Sequence, residues 1–199
     1  MRILETAYLI LPLLVAGALH APVIKKDLLP VLARPLDFGR SFRGERLFGE
    51  NKTWRGLLLM STVAVLVVLG QSQLYRVDAF RDLSIVDYSR TSWLALGLAL
   101  GLSYSLSELP NSFCKRRLGI PPGGVSRKRG LLQYVVDQAD SAVGGTLALI
   151  FFGLAWDALV LVFALGFSLH VVMDQLFFLF AVKRRAAMRA VPLQGQPTC

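Results

Sequence analysis

The stretch Leu57-Leu58-Leu59-Met60-Ser61-Thr62-Val63-Ala64-Val65-Leu66-Val67-Val68-Leu69-Gly70-Gln71-Ser72-Gln73-Leu74-Tyr75 contains no charged residue. Crossing the hydrocarbon of a bilayer takes roughly 20 mostly apolar residues in a helix, and this run meets that test. Four more segments approach or meet it. Thr6–Ile24 is uncharged. Thr91–Ser107 is uncharged and slightly short. Ser141–Trp156 reaches a full span if its helix begins near Val135. Ala158–Val182 carries one acid, Asp174. A soluble domain with a buried core helix needs far fewer such runs. The pattern therefore predicts an all-α integral membrane protein with five spans, at about 6–24, 57–75, 91–109, 135–156 and 158–182. They belong to one membrane domain over 1–190, followed by a flexible tail at 191–199. The first span reads as retained rather than cleaved, because Arg2 is offset by Glu5 and no small-x-small site follows.

Charge placement sets the expected orientation. The 199-residue chain carries a formal net charge of +9, which by itself could suggest nucleic acid. The basic residues are not spread as a nucleic-acid surface would need. Lys25–Arg55 holds eight Lys or Arg, Lys115–Arg129 six and the tail after Val182 four, whereas Arg76–Arg90 holds three, balanced by Asp78, Asp82 and Asp87. Alternate connections are thus strongly basic. The positive-inside rule then expects the N-terminus outside, and both basic loops and the C-terminus in the cytoplasm of a multi-pass cell (inner) membrane protein. Nucleic acid is not an expected partner; the bilayer is. The oligomeric state is left open, a homodimer included. Cys114 and Cys199 have neither zinc-site nor disulfide-framework spacing.

Long loops in a compact chain tend to carry function. The first basic loop ends Gly49-Glu50-Asn51-Lys52-Thr53-Trp54-Arg55-Gly56, immediately before the second span. Lys52, Thr53 and Arg55 would then stand near a helix N-terminus, where backbone N–H groups and cations together favour phosphate. An interfacial anchor of Lys, Trp and Arg explains the same residues equally well. A Walker phosphate loop does not fit: Gly44 and Gly49 have the spacing, but Glu50 stands where the lysine must be.

The second basic loop leads into Asp137-Gln138-Ala139-Asp140-Ser141. On a helix Asp137, Asp140, Ser141 and Gly144 share one face. Two acids at the mouth of an apolar helix are costly and mark candidate function. Carboxylates suit Mg2+, particularly when a substrate phosphate completes the shell. Neutralisation by the adjacent Arg and Lys cluster is the alternative. In the last span His170 and Asp174, at i and i+4, are expected either to pair in a shared polar pocket or to serve helix–helix hydrogen bonding; His20 receives no role.

Pro35-Leu36-Asp37-Phe38-Gly39, Gly49–Gly56, Asn111-Ser112-Phe113-Cys114-Lys115-Arg116-Arg117-Leu118-Gly119-Ile120 and Asp137-Gln138-Ala139-Asp140-Ser141 together resemble the CDP-archaeol synthase family, short relatives of the CDP-diacylglycerol synthases (phosphatidate cytidylyltransferases). The resemblance spans nearly the whole chain. It implies a magnesium-dependent nucleotidyltransferase in which a membrane lipid phosphate attacks the α-phosphate of CTP, yielding a CDP-lipid (CDP-archaeol-like or CDP-diacylglycerol) and pyrophosphate for phospholipid biosynthesis. It also implies residue roles. Asp137 and Asp140 hold Mg2+. Lys115 acts in catalysis beside them. Ser112, Arg116 and Arg117 meet phosphates, and Lys52, Thr53, Trp54 and Arg55 help bind the nucleotide. One departure from the longer relatives is visible: their His-Gly-Gly element before the acidic pair is replaced by Pro122-Gly123-Gly124, further upstream. Two rival readings are a small transporter using the intramembrane acids as an ion path and a non-catalytic scaffold that binds anionic lipid.

Overall fold

The computed structural model describes residues 3–124 and 130–190. The basic run Arg127-Lys128-Arg129 and the tail from Val191 lie outside the described residues. Among the described residues six α-helices are present: α1 (Ile3–Lys25), α2 (Trp54–Leu74), the short α3 (Asp78–Leu83), α4 (Trp93–Arg117), α5 (Gly130–Ile150) and α6 (Trp156–Ala190). A two-residue hairpin, β1 (Ser41–Phe42) with β2 (Glu45–Arg46), projects from the connection between α1 and α2.

Local chemistry explains the helix boundaries. Thr53 is extended and its Oγ1 accepts from Gly56 N at 3.3 Å, capping α2. Ser92 caps α4 in the same way through Ala95 N. At the other end of α4, Gly119 takes φ +68°. Gly119 N then bonds Arg116 O at 3.1 Å and Ile120 N bonds Lys115 O at 3.0 Å, the two bonds of a Schellman ending.

Two boundaries differ from the sequence reading. Ser112, Lys115, Arg116 and Arg117 are not loop residues, because α4 continues through Pro110 to Arg117. An interior proline removes one helix bond and costs about 3 kcal/mol in an unsupported helix. Here the extension is supported by the contacts that Asn111 and Lys115 make with α5. Likewise α5 starts by Gly130 rather than near Val135.

α4 is the central helix, packed on α1, α2 and α5, while α6 packs on α1 and α5. Small residues allow the close approaches. A Cβ on Gly97 would lie 2.6 Å from Val65 Cα, and one on Gly144 would overlap Ser107 Oγ and Ser103 O. Leu9, Val68, Leu96, Leu100, Leu149 and Leu159 belong to the apolar core. These residues come from the ends of their helices away from the basic loops. The outer faces carry exposed Leu58, Leu66, Leu98, Leu147, Phe151 and Val160, as a surface solvated by lipid requires.

By length and composition, Ile3–Lys25, Trp54–Leu74 and the Trp156–Leu176 part of α6 are apolar enough to cross a membrane. α4 and α5, read from the sequence as spans 91–109 and 135–156, do not meet that measure among the described residues. Each carries polar side chains toward the other, and those side chains build the site described next.

Candidate active site

The loop from α1 to α2 is closed on itself before it meets the helices. Leu36 N bonds Lys52 O at 2.8 Å and Trp54 N bonds Arg34 O at 3.0 Å. Inside this closure Asp37 is 3% exposed. Its carboxylate accepts from Arg46, from Gly39 N at 3.0 Å, and from Phe48 N and Gly49 N at 3.2 and 3.1 Å. Burial opposes ionisation, but the Arg46 bond and the three backbone bonds outweigh it and bring the Asp37 pKa down from 3.8 to about 2. The folded loop presents Phe48, Asn51 and Lys52 to the end of α4.

A cavity of about 270 Å3 opens there. Its charged lining is Lys52, Lys115 and Arg116 against Glu108, Asp137 and Asp140. Asn111 Nδ2 donates to Asp137 Oδ1 and to Asp140 Oδ2, both at 2.7 Å. Lys115 Nζ lies 2.5 Å from Asp137 Oδ1. Ser141 Oγ donates to Glu108 Oε1 at 2.7 Å, and Glu108 Oε2 accepts from Lys52. Loop, α4 and α5 are thereby joined through one polar network.

Arg116 is the exception to this pairing. It is 7% exposed, yet its Nε and Nη1 are buried without a hydrogen-bond partner among the described residues. A buried cation in that condition is costly unless an anion arrives. Arg116 also lines a neighbouring cavity of about 330 Å3 with Glu45, Arg46, Gly49 and Glu50, so it stands between the two.

The ten residues singled out in the sequence divide into two groups. Lys52, Ser112, Lys115, Arg116, Asp137 and Asp140 line the cavity. The other four have different work. Thr53 caps α2. The Trp54 ring packs on Phe38, with centroids 6.0 Å apart. Arg55 is buried and donates to Asp27 Oδ1 at 2.7 Å and Leu28 O at 2.9 Å. Arg117 donates to the carbonyls of Phe42, Glu45 and Arg46 and lies 4.7 Å from the Phe113 ring centroid, so it clamps the hairpin. Nor do His170 and Asp174 pair in a polar pocket: Asp174 is exposed, and His170 Nε2 is 3.0 Å from Tyr104 Oη on α4, a helix–helix contact.

The sequence reading gave no role to Glu108, Asn111 or Asp37. Asn111 and Glu108 sit one turn apart on α4, and that spacing was a usable signal once the helix was carried past Pro110.

The donor set suits a hard divalent cation. One carboxylate oxygen each of Asp137 and Asp140 turns toward the Asn111 amide nitrogen, and Asp137 Oδ1 also draws the Lys115 ammonium, so a concentrated negative charge stands there. Among the described residues no group of three His, Cys, Asp or Glu is disposed for a metal, so other ligands must complete such a shell.

A bundle with lipid-facing apolar flanks and a charged cavity at one end of its helices defines a multi-pass intramembrane enzyme. A solved chain described as "Structural insight into an intramembrane enzyme for archaeal membrane lipids biosynthesis" has this fold, with a TM-score of 0.55 and 25% identity over 87% of this chain and 94% of that one. The family model "CarS-like: CDP-archaeol synthase" matches residues 1–186. The CDP-archaeol synthase of Saccharolobus islandicus (strain L.S.2.15 / Lassen #1) is 30% identical over 87% of this chain and 89% of its own length. That of Pyrococcus furiosus is 38% identical over 61% of this chain and 64% of its own. The chain belongs to the CDP-archaeol synthase family, cytidylyltransferases of archaeal lipid biosynthesis. The transporter and scaffold readings are set aside on that ground.

Proposed function

We propose that the cavity binds CTP and archaeol phosphate together with Mg2+, and joins them at the cytoplasmic face of the cell membrane. In this reading five helices, α1, α2, α4, α5 and α6, cross the bilayer with the N-terminus outside. The hairpin loop and the adjoining ends of α4 and α5 then face the cytoplasm, where CTP is found. The observation that carries the reading is Arg116, buried with Nε and Nη1 unpartnered among the described residues, in the same cavity lining as Asp137 and Asp140.

The charges support it. Three cations and three acids in the cavity lining cancel, which leaves a polyphosphate without net attraction until a divalent ion joins. Asp137 and Asp140 would hold Mg2+, which would screen the phosphates and stabilise charge at the reacting phosphorus. Lys115 leaves Asp137 for a phosphate oxygen. Lys52 and Arg116 meet the remaining phosphates, and Ser112 offers a hydroxyl nearby. A lipid phosphate oxygen forms a bond to the α-phosphorus, and the bond from that phosphorus to the bridging oxygen of the β-phosphate breaks. The electron pair leaves with pyrophosphate. The attacking oxygen is already anionic, so no general base is required. The residues supply position and electrostatics, which dominate phosphate transfer.

Pyrophosphate release from labelled CTP by purified protein tests the proposal. Release should depend on Mg2+ and on an archaeal-type lipid phosphate in preference to a diacyl one. Absence of release with both lipids would sink it.

A further inference from the structure

Asn111 holds the two aspartates with one atom. Its Nδ2 lies 2.7 Å from Asp137 Oδ1 and 2.7 Å from Asp140 Oδ2. Without a cation this orientation of the amide is the stable one, because an N–H2 group placed between two carboxylates satisfies both and reduces their repulsion. An octahedral Mg2+ with ligands at about 2.0–2.1 Å has adjacent ligand atoms about 2.9 Å apart. The spacing of the amide atom from each carboxylate oxygen is close to that edge length. Once a divalent cation sits among these groups, an N–H2 pointing at it is repelled and a carbonyl oxygen is attracted. Rotation of the amide by half a turn exchanges the two atoms with little change in shape.

Resting on the magnesium reading above, we propose that Asn111 is a metal-responsive ligand: its amide nitrogen spaces Asp137 and Asp140 before metal binds, and its Oδ1 becomes the third protein oxygen on the ion. A neutral third ligand also answers the lack of a third acid directed at this point among the described residues. Glu108 is engaged elsewhere, by Ser141 and Lys52. The unpartnered Arg116 in the same cavity independently calls for an anionic ligand there, so the ion and a phosphate would arrive in one place.

The sequence makes the test tractable, since Asn51 and Asn111 are its only asparagines. Full-length protein in detergent, labelled with asparagine carrying 13C at the side-chain carbonyl, is loaded with Mn2+ alone and then with Mn2+ and CTP. Electron–nuclear double resonance reads any 13C coupling to the metal. The expected result is a coupling that survives Asn51→Ser and disappears in Asn111→Ala, with Mn2+ affinity falling at least about tenfold in Asn111→Ala and retained in Asn111→Asp. The Asn111→Asp measurement and the labelled unmutated protein keep the test decisive if Asn111→Ala does not fold. Tight Mn2+ binding without 13C coupling would overturn the ligand role, as would a coupling lost in Asn51→Ser, while leaving the cytidylyltransferase reading intact. Failure of the unmutated protein to bind Mn2+ in both conditions would overturn the magnesium reading along with it.

Discussion

Lys115 Nζ lies 2.5 Å from Asp137 Oδ1, tying the end of α4 to the start of α5 by a pair whose members are both needed elsewhere during the proposed reaction. The lysine competes with a cation for the same carboxylate. Lys115→Met should therefore lower the Mg2+ concentration needed for half-maximal activity. It should also reduce kcat by about 10²-fold, because a phosphate loses its ammonium partner. A Mg2+ titration of turnover measures both. A variant with unchanged kcat would remove Lys115 from the chemistry.

Asp140 lies on the same helix face and shares the Asn111 amide. Asp140→Asn removes one charge and keeps the shape. Turnover should fall to background, with the variant still inserted in the membrane and its thermal stability little changed. Comparing pyrophosphate release with melting temperature in detergent separates loss of chemistry from loss of fold. Full activity would exclude the metal role.

Asp37 predicts a pH dependence for the loop. Its pKa is about 2 in the folded protein and 3.8 unperturbed. A depressed folded value means that the stabilising contribution is complete above pH 4 and fades as pH falls toward 2. Above that window the shift corresponds to about 2 kcal/mol. Asp37→Asn should be less stable than the unmutated protein by about that amount at pH 5, and the difference should close near pH 2. Parallel chemical denaturation of the two proteins across this range measures it. A difference that is constant with pH would mean that Asp37 contributes through shape alone.

Gly144 tests the α4–α5 approach. A methyl group there overlaps Ser107 Oγ and Ser103 O. Backbone oxygen cannot swing aside, so the helices must separate. Gly144→Ala should cost about 1–3 kcal/mol, and should displace Asp140, one turn earlier, from Asn111. Stability and kcat should fall together. An unaltered melting temperature would show that the two helices part freely at this level.

The spans were legible where a long uncharged run carries them, as in Leu57–Tyr75. α4 and α5 were harder to bound because their inner faces serve the site and their polar residues dilute the apolar run. Asp137 and Asp140 could be placed on one face from helical spacing alone. Asn111 opened a quoted motif but was given no role, and Glu108, one turn earlier on α4, stood outside that motif; the continuous helix through Pro110 is what brings the two together. The direction of Arg55 was not legible: its partner Asp27 lies 28 residues earlier and comes near only when the loop closes. Arg117 was hidden for the same reason. A guanidinium beside Lys115 and Arg116 resembles a third phosphate ligand until the hairpin carbonyls are brought against it.

Arg55 and Lys52 supply a last contrast, because they are three residues apart in a motif that treats them alike. Arg55 is 8% exposed and bonded to Asp27 and to Leu28 O. Lys52 reaches Glu108 in the cavity lining. Arg55→Met leaves the Leu28 carbonyl without this donor and lets the α1–α2 connection loosen. It should cost about 1–3 kcal/mol of stability while leaving KM for CTP within about twofold in the protein that remains folded. Lys52→Met removes a cation from the cavity proposed to hold CTP and leaves Glu108 with Ser141. It should raise KM for CTP by about tenfold, roughly the 1.4 kcal/mol of one charge-assisted hydrogen bond, with little change in melting temperature. Steady-state kinetics and thermal melts on the two variants in the same detergent distinguish them. The reverse pattern, a KM effect at Arg55 and a stability effect at Lys52, would mean that CTP binds on the α1 side of the loop instead of in the cavity between α4 and α5.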